Sequence, residues 1–126
     1  MKLIEDLQLI SEPFVNAVVT IGNFDGVHNG HRALIQNTID KARSIQGTSV
    51  AITFEPHPIK VLTNSSPPPL ITIYEQKVEL IEKTGIDVLV AIPFTLDFAG
   101  MEARAFVEEL LVRQIGMKAI VVGNDY

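Results

Sequence analysis

His28 and His31, three positions apart with Gly30 between them, are the side chains in this sequence best suited to act on a charged ligand. A neutral imidazole donates one hydrogen bond and a protonated one donates two, so the pair can aim donors and positive charge at a phosphoryl group. Gly22, Gly26 and Gly30 let the backbone come close to whatever binds there. The apolar run Ala17-Val18-Val19-Thr20-Ile21 before them reads as a buried strand, and residues 32–45 after them carry helical periodicity. The histidines therefore stand where a strand turns into a helix, and their spacing puts both on one side of it. The first N–H groups of a helix lack intrahelical partners and its dipole favours negative charge, which makes such a turn a phosphate site. Phosphoryl-group transfer depends mainly on positioning and electrostatics, and one well-aimed donor is worth ~10²–10³ in rate.

Other readings of the pair are exposed or helix-capping histidines, and a metal site. Zinc takes three or four ligands, and with no cysteine the remaining candidates are His57 and carboxylates. The sequence holds no GxxxxGK[ST] loop and no GxGxxG fingerprint, which argues against P-loop and dinucleotide-dehydrogenase chemistry.

The elements that must position these residues alternate. Strand patterns at 16–21, 49–54, 87–92 and 118–122 are separated by helical patterns at 32–45, from Thr72 to about Thr84, and at 102–114. Ala33, Leu34, Ile35, Ile39 and Ala42 form the apolar stripe of the first helix, which Gly47 is expected to stop. Thr72 and Glu75 have the form of a capping box and Gly85 ends that helix. Phe106, Val107, Leu110 and Leu111 mark the face of the third. This alternation predicts an α/β domain with a parallel sheet and helices on both faces. Ligands then bind outside the carboxyl ends of the strands where strand order reverses. The glycine–histidine stretch lies at such an end. Ser65-Ser66-Pro67-Pro68-Pro69 reads as a surface loop.

At 126 residues the chain is about one domain, and 47% apolar with 20% charged residues is ordinary for a globular protein. The absence of cysteine excludes disulfides and cysteine nucleophiles and fits a reducing cytoplasm. No signal-like or membrane-spanning apolar run is present. The net charge is −5 with no cluster of Lys and Arg, which argues against nucleic-acid partners.

Gly22-Asn23-Phe24-Asp25-Gly26-Val27-His28-Asn29-Gly30-His31 resembles the HxGH nucleotidyltransferase motif in the form carried by prokaryotic FAD synthetases, bifunctional riboflavin kinase and FMN adenylyltransferase proteins. Thr53-Phe54-Glu55-Pro56-His57-Pro58 is similar to that family's second signature. Phe94-Thr95, Phe98-Ala99, Phe106-Val107 and Val121-Val122-Gly123-Asn124-Asp125 resemble further stretches in the same order. HxGH by itself is shared by several nucleotidyltransferases and some aminoacyl-tRNA synthetases; joined to FDGV and TFEPHP it is specific. Arg32, Glu102 and Tyr126 depart from the usual Gln, Ser and Phe. The family's later Ser-Ser-Thr motif and its kinase module have no counterpart before Tyr126, which leads to the expectation that residues 1–126 are an incomplete adenylyltransferase domain.

The resemblance implies a Rossmann-like HxGH nucleotidyltransferase fold. It implies transfer of AMP from ATP, with magnesium, to FMN, giving FAD and pyrophosphate. On it, His28 and His31 contact the ATP phosphates, and Gly22, Asn23, Phe24 and Gly30 line the nucleotide pocket. Asp25 shapes the turn or places magnesium, no metal ligand being assigned outright. His57 with Pro58 faces the flavin, and Asp125 lies near it. Phe24 and the 55–58 loop also have plain structural readings, as core and as a stiff loop. The alternatives are an HxGH transferase for pantetheine phosphate, nicotinamide mononucleotide or a CTP-dependent alcohol phosphate, a non-catalytic nucleotide-sensing domain, and a metal module of His28, His31 and His57.

Overall fold

Val, Ile and Ala dominate the strand segments, and a strand covered on both faces needs such an uninterrupted apolar run. In the computed structural model, which describes residues 1–5, 10–22, 24, 29–55, 74–93 and 107–121, all five residues of the strand Ala17–Ile21 are buried. The strands are β1 (Lys2–Ile4), β2 (Ala17–Ile21), β3 (Ser49–Glu55), β4 (Val88–Pro93) and β5 (Met117–Ile120). The helices are α1 (Asn29–Ser44), α2 (Tyr74–Glu82) and α3 (Val107–Ile115), the last with the wider π-type winding. The strands form one sheet in the order β1-β4-β3-β2-β5, and every pairing is parallel.

Successive side chains of a strand point to opposite faces, and this alternation sorts the core into two layers. Ala17, Val19 and Ile21 of β2, Val50 and Ile52 of β3, and Val88, Val90 and Ile92 of β4 pack against Leu111 and Ile115 of α3. Ala51 and Leu89, on the other face, pack against Ile35 and Ile39 of α1 and Ile81 of α2. Helices thus cover both faces, as the alternating pattern predicts.

The chain steps from β2 to β3 to β4 in one direction, using helices on one face. It then returns by α3, on the other face, to place β5 on the far side of β2. The direction reverses at β2, and open α/β sheets take their ligands in a crevice outside the carboxyl end of such a strand.

The four expected strands are β2 to β5, with ends displaced by a residue or two. β1 is additional: it is three residues long, and its register sets Leu3 beside Leu89 and Ile4 beside Val90. α1 begins at Asn29, three residues before the expected start, so His31 belongs to its first turn. At the other end of α1 the left-handed residue is Gln46, with φ 54°. Gly47 is required there for a different reason: a Cβ would fall 2.1 Å from the carbonyl oxygen of Asn16. The expected cap Thr72, the Ser-Pro tract, Glu102 and Phe106 lie outside the described residues, as do the side chains of Val107 and Leu110. Leu111 is buried as expected.

At the amino edge of the sheet Ser49 and Asp87 join the starts of β3 and β4. The Ser49 amide and hydroxyl donate to Asp87 Oδ2 at 2.9 and 3.0 Å, and the Asp87 amide donates to Ser49 Oγ at 2.9 Å. This holds the two central strands in register at the end opposite the crevice.

Candidate active site

β2 carries the chain to the carboxyl edge and Gly22 takes it over. The Gly22 amide donates to the carbonyl of Ile52 at 3.0 Å, a last link to β3. A Cβ on Gly22 would stand 3.3 Å from two ring carbons of Phe24, so the missing side chain leaves room for that ring to fold back over the edge.

Phe24 adopts φ 54°. That conformation costs a non-glycine residue about 1–3 kcal/mol. The ring is 1% exposed and sits in the layer with Ile35, Ile39, Ala51, Ile81 and Leu89. Burial of a phenylalanine contributes about 1.5–3 kcal/mol, enough to offset the strain. The buried ring therefore holds the turn in a shape it would otherwise leave.

His31, in the first turn of α1, meets that ring edge to face, with centroids 5.4 Å apart and planes at 82°. Such T-shaped contacts are worth about 0.5–1.5 kcal/mol beyond burial. The residue is half-buried and its Nδ1 is buried. Its imidazole is thereby fixed to the core on one side at the start of a helix whose first turn carries no acidic residue. Positive helix-end dipole and imidazole act together there, with no carboxylate in that turn to oppose an incoming anion.

The structure brings Gly22, Phe24, Gly30 and His31 to the carboxyl end of β2. Gly30 is exposed on the same first turn of α1. Asn23, Asp25, His28, His57, Pro58 and Asp125 lie outside the described residues. Among the described residues no three His, Asp or Glu side chains converge on a point that could hold a metal.

Two polar side chains at this edge were not singled out from the sequence. Lys77 of α2 is only 7% exposed and its Nζ donates to Thr53 Oγ1 of β3 at 3.0 Å. Thr20 of β2 is fully buried and its hydroxyl has no hydrogen-bond partner among the described residues. A signal for Lys77 did exist: it lies four residues before the core residue Ile81, on the same helical face.

Residues 11–126 match the sequence model of the family described as FAD synthetase. The bifunctional riboflavin kinase/FMN adenylyltransferase of Escherichia coli (strain K12) is 35% identical over 127 residues, covering 100% of this chain and 41% of that protein. A protein of the same description from Listeria monocytogenes is 35% identical over 113 residues, covering 89% of this chain and 36% of its own length. A crystal structure described as a macrolide-efflux protein from Streptococcus pneumoniae aligns with a TM-score of 0.81 at 27% identity, covering 98% of this chain and 41% of that one. Among the described residues no helix is long and apolar enough to cross a membrane. The chain spans roughly two-fifths of the length of the curated relatives it matches.

Proposed function

The chain belongs to the FAD synthetase family, and from that premise we propose that it carries an FMN adenylyltransferase site, moving AMP from ATP to FMN to give FAD and pyrophosphate. The observation that supports this most is His31, fixed by Phe24 in the first turn of α1 where strand order reverses. A triphosphate laid along that helix end meets backbone N–H groups, the helix dipole and an imidazole.

The reaction in this reading is an in-line displacement. A phosphate oxygen of FMN bonds to the α-phosphorus of ATP while the bond from that phosphorus to the bridging oxygen of pyrophosphate breaks. The electron pair leaves with pyrophosphate, and negative charge grows on the leaving oxygens. The start of α1 and His31 counter that charge, with His28 assigned the same part by its place in the motif. Gly22, Asn23, Phe24, Asp25 and Gly30 shape the nucleotide side, and His57, Pro58 and Asp125 belong to the flavin side. Magnesium supplies charge neutralisation to the phosphates when bound, and it commonly rides on them with few protein ligands. The described donors offer it no cage of their own.

The reading includes residues 1–126 as the adenylyltransferase portion. It assigns the riboflavin kinase activity named for the relatives to the part of those proteins that this chain does not match. It also places the protein in the cytoplasm, with small-molecule substrates, and with neither nucleic acid nor membrane as partner.

The test is addition of FMN and ATP to the intact protein, followed by flavin difference spectroscopy and separation of products. A flavin spectral shift and equal amounts of FAD and pyrophosphate are expected. ATP turnover onto another phosphorylated acceptor, with no flavin shift, would replace this reading by a different nucleotidyltransferase.

A further inference from the structure

A buried ammonium is expensive, and lysine is among the residues least often found inside a protein. Lys77 is nonetheless 7% exposed, and its Nζ donates to the hydroxyl of Thr53, itself fully buried, at 3.0 Å. The place of that bond in the sheet is informative. Pairing between β2 and β3 ends at Ile21 and Ile52, and the Gly22 amide closes it on the Ile52 carbonyl. Thr53, Phe54 and Glu55 run past that point and, among the described residues, pair only with β4, opposite Ala91, Ile92 and Pro93. On the other side of β2, β5 pairs Ile120 with Val19, and the Val121 amide donates to the Val19 carbonyl at 2.8 Å. Above the end of β2, among the described residues, the overhang of β3 stands as a wall, and Lys77 is tied to its base.

Resting on the adenylyl-transfer reading, we infer that Lys77 is a positioning residue for the acceptor substrate. The ATP phosphates are taken by the start of α1, which follows β2. An acceptor that attacks the α-phosphorus in line must approach along a neighbouring wall, and the overhang of β3 is the wall the described residues supply. Through Thr53, Lys77 fixes the direction in which β3 leaves the sheet. The ammonium touches neither substrate; it sets the surface on which FMN lies.

The experiment compares wild-type protein with Lys77→Met, Lys77→Arg, Thr53→Val and the Met/Val double variant, all in the intact protein, by steady-state FAD formation and by circular dichroism. Production of FAD by the wild type reports on the parent reading alone, and the ratios among variants report on Lys77. Lys77→Met and Thr53→Val are expected to raise KM for FMN about tenfold, the usual scale for losing a group that orients a contacting residue. KM for ATP should change less than about threefold on the same scale. Lys77→Arg should restore most of the loss, and the double variant should be no worse than the worse single one, since the Lys77–Thr53 bond is common to both. Equal changes in both KM values, no change in either, or additive losses in the double variant would overturn the inference. If Lys77→Met does not fold, Thr53→Val against Thr53→Ser decides it: Ser keeps the acceptor oxygen and must keep KM for FMN.

Discussion

Phe24 and His31 meet edge to face at 5.4 Å, and this contact joins a residue with a left-handed backbone to the first turn of the helix that faces the crevice. The strain at Phe24 and the orientation of His31 are therefore one feature. Phe24→Ala removes the ring that compensates the strain and is expected to cost about 3–5 kcal/mol of stability. Phe24→Leu keeps apolar volume but loses the aromatic edge contact. Its unfolding free energy should fall by no more than about 1.5 kcal/mol, while kcat for adenylyl transfer falls by a larger factor than that loss implies. Chemical denaturation and initial rates on the same preparations check both. A Leu variant with wild-type kcat would show that the ring only fills space.

Asp87 lies at the opposite edge of the sheet, where its carboxylate takes two hydrogen bonds from Ser49. Asp87→Ala leaves the Ser49 amide and hydroxyl without that acceptor and is expected to destabilise by about 1–3 kcal/mol. KM and kcat measured well below the melting temperature should be unchanged, because the register is loosened at the far end from the crevice. Altered kinetics in a folded Asp87→Ala protein would mean that the two edges are coupled.

The hydroxyl of Thr20 is buried without a hydrogen-bond partner among the described residues. Replacing it with a methyl removes the desolvation cost, so Thr20→Val is expected to raise stability by about 1 kcal/mol. Urea denaturation measures this, and a clear loss of stability would contradict the placement of that side chain.

Leu111 is 1% exposed and carries α3 against the sheet through contact with the layer containing Val19 and Val90. Leu111→Ala is expected to cost about 2–5 kcal/mol and to release α3 before the sheet core. Hydrogen exchange should show the amides of 107–115 losing protection first; uniform loss throughout the sheet would argue against that order.

β2 and most of the stripe of α1 were legible because Ala17 to Ile21 and Ile35, Ile39 and Ala42 follow the periods of a covered strand and an amphipathic helix; Ala33, expected in that stripe, is exposed, and Thr38 is buried in its place. The start of α1 was less so, since Asn29 and Gly30 are poor interior helix formers. β1 could not be read from three residues of which two are exposed; it is a strand only because β4, more than eighty positions away, offers an edge. In the site, the glycines and histidines pointed to the strand-to-helix turn as the candidate, but the backbone strain of Phe24 is a tertiary property. Lys77 was missed because a lysine on an amphipathic helix is ordinarily solvated, and its bond to Thr53 of β3 is a tertiary contact.

In the proposed function His31, at the start of α1, assists transfer of AMP to FMN. The most direct measurement is the rate of FAD formation from ATP and FMN by the intact protein and by its His31→Ala variant, alongside their melting temperatures. The expected result is FAD formation by the wild type and a fall in kcat of ~10²–10³ in the variant, with the fold retained. A folded His31→Ala protein that makes FAD at the wild-type rate would contradict the account.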